Sequence, residues 1–228
     1  MVKNSKFDVA LAEFAQTVAD LRGLKETGEW DKVAIVIDRY IRYLVDVTPE
    51  EVCSLTEIDV LARLMRSGLR TTYWIPYKKM MLVAIFKEAG DYAKFKFPPD
   101  GGFGWYLKGL HFLLSLLAND EMQSSLPIPS LDEFLAEIKP SPLPLFTRFL
   151  LMSEFERRGQ FGNATDQLDL ALNQSRGSLK CCNFGIACLE RIGRENNATI
   201  QGGGLTRDEI EKRLLKLNTF RRRKEVTH

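Results

Sequence analysis

The sequence predicts an all-α fold built of antiparallel helical hairpins, and three observations lead to this prediction. Apolar side chains recur every three or four residues along most of the chain, which is the spacing of one face of a helix. Capping boxes, in which Ser or Thr stands three positions before an acidic residue, mark several expected helix starts. No segment has the pattern of a β-strand, so we expect helices throughout.

The first part of the chain predicts one hairpin followed by short helices. Apolar faces run through about residues 5–25 and about residues 30–44, and Gly28 interrupts them. Such a short break between two amphipathic helices favours an antiparallel pair. Capping boxes begin at Thr48 and at Thr56, so we expect a helix to start after each.

The middle of the chain predicts two helices separated by a loop. The first covers about residues 76–89. Residues 98–102 are Pro-Pro-Asp-Gly-Gly, a composition that permits neither helix nor regular strand. The second helix, at about residues 104–117, is apolar nearly all round, which is typical of a helix surrounded by protein.

A proline-rich segment, 125–144, predicts the division of the chain into two lobes. It contains five prolines, and a capping box at Ser130 predicts a short helix between them. Prolines make a connector semi-rigid. We therefore expect an N-terminal helical lobe at 1–124, a connector at 125–144 and a C-terminal lobe at 145–228.

The C-terminal lobe predicts a hairpin over 145–176, a helix over 179–191 and a last helix capped at Thr206. Three consecutive glycines, 202–204, predict a flexible break before that helix. The last helix ends in the basic run Arg221–Lys224.

Composition and charge favour no particular class of partner. The chain has 228 residues, 45% of them apolar, and its 32 basic and 30 acidic side chains give a formal charge of +2. A nucleic-acid-binding domain usually has a larger basic excess. No apolar run reaches the ~18 residues that a membrane span needs, and Asp8 and Glu13 argue against a signal peptide.

The cysteines predict a reducing environment. None of them forms a C-x-x-C pair, so neither a zinc ribbon nor a thioredoxin motif is indicated. We interpret them as reduced thiols of a cytoplasmic protein. The four residues are Cys53, Cys181, Cys182 and Cys188.

Three segments share a glycine followed two residues later by an aromatic residue. They are Lys25–Trp30, Lys87–Tyr92 and Glu156–Phe161. In each we expect the glycine to end a helix in a left-handed conformation, which glycine adopts without strain. The glycines are separated by about twice a 34-residue repeat, and such periodicity indicates a solenoid.

These residues resemble the tetratricopeptide repeat. In the last copy the matching positions are Gly159, Phe161, Ala164, Leu168, Ala171 and Leu172. The copy at about 14–47 matches less closely, through Leu21, Leu24, Gly28, Trp30, Ile37 and Tyr40. The resemblance implies a degenerate right-handed array of helical hairpins. The first part of the chain is also similar to an uncharacterised bacterial family of such proteins, which implies no activity. A non-repeat helical bundle with coincidental Gly-aromatic turns is the alternative.

The resemblance implies a non-catalytic scaffold or adaptor that binds a protein or peptide partner in a concave groove. A homodimer through the last helix is a variant of this hypothesis. The expected groove-facing residues are Arg22 and Lys25 in the first unit, Tyr77 and Lys87 in the middle one, and Phe149 and Arg157 in the last.

Two other functions stay open at this point. The run Arg221–Lys224 suggests a nucleic-acid-associated regulator that contacts phosphates, although a solvated helix end explains the run as well. An enzyme would need a pocket near His111 and the loop at 98–105. We expect no cofactor and no metal, because His111 and His228 are the only histidines and neither has ligand spacing.

Overall fold

The structure, a computed structural model, describes residues 5–66, 74–99, 101–122, 126–138 and 143–226, with side chains from Val9 to Arg223 within these ranges. The described residues form twelve helices and no strand, which confirms the all-α prediction. The helices are α1 (Ser5–Glu26), α2 (Trp30–Val45), α3 (Pro49–Ser54), α4 (Glu57–Arg66), α5 (Ile75–Lys96), α6 (Phe103–Ala118), α7 (Leu131–Ile138), α8 (Leu145–Arg157), α9 (Phe161–Gln174), α10 (Leu179–Ile192), α11 (Asn197–Gly202) and α12 (Arg207–Val226).

The chain divides into two compact units, Met1–Pro142 and Leu143–His228. The division lies within the proline-rich segment 125–144, but that segment is not only a connector. Helix α7 lies inside it and packs against α6, and Phe134 and Ile138 of α7 are buried. Residues 131–138 therefore belong to the core of the first unit.

Helix α5 is the centre of the first unit. It packs against α1, α2, α4 and α6, and side chains on all of its sides are buried, including Leu82, Ile85 and Phe86. A helix surrounded in this way has no single apolar face. Its weak amphipathicity therefore follows from its position.

Gly90 corrects one prediction about this unit. We expected it to end a helix, but α5 continues through it to Lys96. A Cβ atom at Gly90 would overlap the ring of Tyr106 from α6, so the glycine permits close packing of α5 and α6. By contrast, Gly28 and Gly159 have left-handed φ values of 75° and 70°, which confirms the predicted helix-ending turns there.

The second unit contains the α8–α9 hairpin and the helices α10 to α12. The predicted core positions of α9 (Phe161, Ala164, Leu168 and Ala171) are buried. Helix α10 packs against α8, α9 and α12, with Gly185 next to Leu168.

The glycine-rich segment before α12 is a packed turn and not the flexible break that we predicted. The carbonyl of Gly203 accepts a hydrogen bond from the Gly162 amide at 2.8 Å. A Cβ atom at Gly203 would overlap the Gly159 carbonyl and the Phe161 ring. The short helix α11, which the sequence analysis did not predict, precedes this turn and is capped by the Asn196 side chain.

Candidate functional site

Lys25 and Lys87, two of the predicted groove residues, meet at one carboxylate in the first unit. The Lys25 ammonium lies 2.8 Å from Asp91 Oδ2 and 2.6 Å from Glu88 Oε2. Lys87 donates to Asp91 Oδ1 at 2.6 Å, and the Tyr106 hydroxyl donates to the same oxygen at 2.8 Å. We call these five residues the Asp91 cluster.

The charges of the Asp91 cluster largely satisfy one another. Burial raises the pKa of Glu88 more than Lys25 lowers it. Burial would also raise the pKa of Asp91, but hydrogen bonds from Lys25 and Lys87 outweigh it and lower that pKa. Burial and the adjacent Asp91 carboxylate raise the pKa of Tyr106, which holds its proton on the phenol oxygen.

The prediction that Lys25, Tyr77 and Lys87 face a binding groove is therefore corrected. Tyr77 is buried in α5, with only 5% of its surface exposed. The ammonium groups of Lys25 and Lys87 are held by Asp91, and their side chains are 19% and 13% exposed. Arg22, in contrast, is exposed on α1, as expected for a residue that contacts a partner.

Phe149 and Arg157 lie on α8 in the second unit, on different parts of its surface. The Phe149 ring is half-buried and lies 4.6 Å, between ring centroids, from Phe184 of α10. Two turns further along α8, Arg157 lines an open groove of about 740 Å³, which we call the α8–α10 groove. Its other lining residues are Ser153, Glu156, Gly159, Phe161, Arg191, Ile192, Arg194, Glu195 and Thr199.

Charged side chains hold fixed positions along the α8–α10 groove. Arg157 donates to both oxygens of Glu154 at 3.0 Å, and Arg158 donates to Glu154 at 2.6 Å. Arg191 of α10 makes a two-bond contact with Glu156 of α8 at 2.6 and 2.8 Å. Such paired contacts fix the guanidinium planes, so the groove has preformed polar walls.

One cysteine of α10, Cys188, is buried behind the α8–α10 groove and does not line it. Cys188 of α10 lies next to Glu156, and burial together with that carboxylate raises the pKa of its thiol to about 12. A thiol with so high a pKa does not form the reactive thiolate at neutral pH.

Two residues of these contacts were not predicted from the sequence: Glu154, which binds Arg157, and Arg191, which binds Glu156. A signal for Glu154 was present, since it stands three and four residues before Arg157 and Arg158, the spacing at which helical side chains meet. No sequence signal paired Arg191 with Glu156, because that contact depends on how α10 packs against α8.

The enzyme hypothesis required a pocket near His111, and a small cavity lies beside that residue. His111 Nδ1 lies 2.8 Å from Glu57 Oε1 of α4. The adjacent cavity has about 130 Å³, and its lining contains no residue of the loop at 98–105 that the structure describes. Within the described ranges, no group of three His, Cys, Asp or Glu side chains is placed to hold a metal ion.

The C-terminal basic run lies on the last turns of α12. Arg222 and Arg223 are exposed there, and Arg221 is half-buried. Among the helices that the structure describes, none has both the length and the apolar character needed to cross a membrane.

Comparison with known proteins adds no family to these observations. The chain matches no protein-family model, and searches of curated proteins and of solved structures find no significant match.

Proposed function

We propose that this protein is a non-catalytic scaffold that binds a protein or peptide partner in the α8–α10 groove. The observation that supports this most directly is that Arg157 of α8 and Arg191 of α10 line the same groove. Its volume of about 740 Å³ is in the range of ligand-binding clefts. A tetratricopeptide-like architecture and a cytoplasmic, bacterial setting are parts of the same proposal.

The side chains of the groove suit a peptide with both polar and apolar groups. Arginine is enriched among the residues that contribute most to protein interfaces. Arg157 and Arg194 offer donors to carbonyl or carboxylate oxygens of a partner, while Phe161 and Ile192 offer apolar contact. Glu195 and Ser153 offer acceptors, so the groove does not select for an exclusively acidic chain.

The test compares two neighbouring arginines that share one partner inside the protein. Arg157 and Arg158 both donate to Glu154, but only Arg157 lines the groove. Once a partner has been captured with the tagged protein, its affinity is measured by titration calorimetry. We expect Arg157→Gln to weaken binding by about tenfold, equivalent to about 1.4 kcal/mol, and Arg158→Gln to leave it nearly unchanged.

Equal effects of the two substitutions would contradict the proposal. Thermal unfolding of both variants shows whether a loss of binding reflects a loss of folded protein. Because each variant leaves Glu154 one arginine, the two are expected to unfold at similar temperatures.

The alternative function is binding of nucleic acid by the basic run Arg221–Lys224. It draws support from the exposure of Arg222 and Arg223 near the end of α12. The balanced formal charge of +2 weighs against it, since phosphate binding depends on an excess of basic side chains. The scaffold is therefore the function that we put first.

A further inference from the structure

A second cavity of the second unit lies where the end of α9 and the first turns of α10 face α12. Its volume is about 490 Å³, and we call it the α9–α12 cavity. It shares no lining residue with the α8–α10 groove, so the two are separate candidate sites. The lining residues that decide its chemistry are the apolar Leu172, Leu217 and Phe220 and the charged Asp169, Arg176 and Lys216.

Two of these three charged residues have no counter-ion. Asp169 accepts a hydrogen bond from Arg213 of α12 at 2.7 Å, so its negative charge is compensated within the second unit. Arg176, which follows α9, and Lys216 of α12 are both exposed, and neither forms an ion pair with a residue that the structure describes. The cavity therefore has two uncompensated positive charges.

The segments that form the cavity add further positive charge and no negative charge. Residues 170–189 and 212–223 contain eight basic residues and no acidic residue. Residues 143–228 as a whole contain fifteen basic and ten acidic residues, so the near-neutral total of the chain conceals a basic second unit. Such a local excess attracts anionic partners. The eight basic residues are Arg176, Lys180, Lys212, Arg213, Lys216, Arg221, Arg222 and Arg223.

The helix ends beside the cavity do not reverse this charge. The last carbonyls of α9 are the negative end of its macrodipole, but they are hydrogen-bonded within the following turn. The Leu172 carbonyl accepts from the Gly177 amide at 2.8 Å, and the Asn173 carbonyl accepts from the Arg176 amide at 3.2 Å. Helix α10 begins directly after this turn, at its cap Ser178, and brings the positive end of a second macrodipole beside the first. The side chains therefore determine the sign of the local charge.

The apolar lining favours a polypeptide over a nucleic acid as the occupant. Leu217 is buried, and Leu172 and Phe220 are half-buried. The tip of the Phe220 ring lies against Gly177, where an added Cβ would be 2.6 Å from Phe220 Cζ. Grooves for single-stranded nucleic acid present aromatic rings on which bases stack, but the aromatic residues of the two basic segments, Phe184 and Phe220, are not exposed. An apolar floor beside free cations suits an apolar side chain that has carboxylates next to it.

We propose that the α9–α12 cavity binds an acidic segment of a partner protein, in which a large apolar side chain is flanked by Asp or Glu. The apolar side chain covers Leu172, Leu217 and Phe220, and the flanking carboxylates pair with Arg176 and Lys216. An apolar anchor in a pocket is the usual main source of affinity. The opposite charges around it contribute selectivity and a faster association.

The probes are three short synthetic peptides that carry a fluorescent dye. The first has central leucines flanked by glutamates, the second has lysines in place of the glutamates, and the third has serines in place of the leucines. Fluorescence anisotropy measures their binding to the full-length protein. We expect the Leu/Glu peptide to bind about tenfold or more tightly than either of the others, because only it supplies both the anchor and the carboxylates.

Substitutions of two lysines one turn apart on α12 locate the binding on the protein. Lys216 lines the cavity, whereas Lys212 does not and is bound to Asp208 at 2.6 Å. We expect Lys216→Gln to weaken the Leu/Glu peptide by about threefold and, combined with Arg176→Gln, by about tenfold. Lys212→Gln should have little effect. Each lysine substitution removes one positive charge from an exposed position, so a difference between them reports position and not net charge, and thermal unfolding should be unchanged in both.

Equal weakening by the two lysine substitutions would overturn the proposal, because attraction would then depend on net charge alone. Equal binding of the acidic peptides with and without leucines would also overturn it, since no anchor would be seated on the apolar floor. Tighter binding of single-stranded oligouridylate than of the Leu/Glu peptide, reduced in Lys216→Gln, would identify a nucleic acid as the occupant instead. Arg157→Gln should not alter binding of the Leu/Glu peptide, so failure here would leave the proposal for the α8–α10 groove standing.

Discussion

Asp91 carries more polar contacts than any other residue of its cluster, and its position explains why two lysines lie partly buried on α1 and α5. Its two oxygens accept from Lys25, Lys87 and the Tyr106 hydroxyl. Removal of one partner from a partly buried group of charges leaves the others without compensation. We expected Lys25 and Lys87 in one binding surface. In the structure both side chains are largely buried and form ion pairs with Asp91 in the first unit.

The first residue-scale prediction is that Asp91→Asn lowers the free energy of unfolding by about 2–4 kcal/mol at neutral pH. Because the folded protein lowers the pKa of Asp91, its contribution is present above the ordinary carboxyl pKa and is lost as pH falls through the lowered value. The difference in free energy of unfolding between the natural protein and Asp91→Asn should therefore become smaller below about pH 4. Urea unfolding at neutral and acidic pH measures it.

The control for this prediction is Asp20→Asn on α1, whose carboxylate accepts a surface hydrogen bond from Gln16. We expect it to change stability little at either pH. The contribution of Glu88 depends on pH in the opposite direction. Because its pKa is raised in the folded protein, ionisation of Glu88 lowers the free energy of unfolding as pH rises. A deficit in Asp91→Asn that grows on acidification would contradict the assignment of Asp91 as the ionised member.

At the scale of elements, close approach of helices in the first unit depends on glycines within α5 and α6. A Cβ atom on Gly109 of α6 would lie 2.7 Å from Phe134 Cε1 of α7 and 3.3 Å from Phe86 Cβ of α5. Neither ring has room to move far, since Phe134 and Phe86 are both fully buried. Gly109 thus sets the spacing of three helices.

Accordingly, Gly109→Ala should destabilise the protein by about 1–3 kcal/mol, the usual cost of overpacking a core. Gly104→Ala in the same helix is the matched control, because among the described residues no atom outside its chain neighbours and the nearby backbone of α6 lies within 4 Å of its added Cβ. It should be neutral or stabilise by up to about 1 kcal/mol through helix propensity. Chemical denaturation compares the two. Similar effects of both would mean that α6 and α7 are not in close contact.

The ends of the helices were predicted correctly at some glycines and wrongly at another. Local signals were sufficient at Gly28 and Gly159, whose left-handed turns follow from residues adjacent in the chain. The same glycine-aromatic pattern gave the wrong prediction at Gly90. There the absence of a side chain permits contact with Tyr106 of α6, and no local signal indicates that contact. Tyr77 was expected in a groove because the repeat resemblance implied it, and a helix buried on all sides shows no amphipathic pattern that indicates which side chains are exposed.

The candidate sites were predicted only in part for the same reason. Arg157, which the repeat resemblance implied for a concave partner-binding groove, lines the α8–α10 groove. A cavity of about 490 Å³ where α2 and α3 face the last turns of α5 was not predicted, since its lining residues Cys53, Trp105 and Ile35 come from three helices whose packing no local pattern encodes.

At the scale of the whole molecule, each of the two units has its own hydrophobic core. The second unit buries Leu151, Phe155 and Leu168 along the α8–α9 hairpin, and Leu189 and Ile210 between α10 and α12. A segment with its own buried core is expected to fold as a domain.

We therefore expect residues 143–228, produced alone, to be helical and to unfold in one cooperative thermal transition. Far-ultraviolet circular dichroism during heating measures this. A shorter chain that begins at Phe161 is the comparison, because it lacks α8, whose Leu151 and Phe155 are buried. We expect it to lose cooperativity. A broad transition for 143–228 itself would contradict the assignment of an independent core.

The central position of α5 has a consequence for how the protein is made on the ribosome. Helix α2 packs against α5, but α5 ends at Lys96 and α2 ends at Val45. At roughly 5–20 residues per second, translation of the intervening residues takes about 3–10 s. During that interval the emerging hairpin α1–α2 has apolar faces without the helix that covers them. We therefore expect the α1–α2 hairpin to expose apolar side chains that a chaperone binds while α5 is being translated.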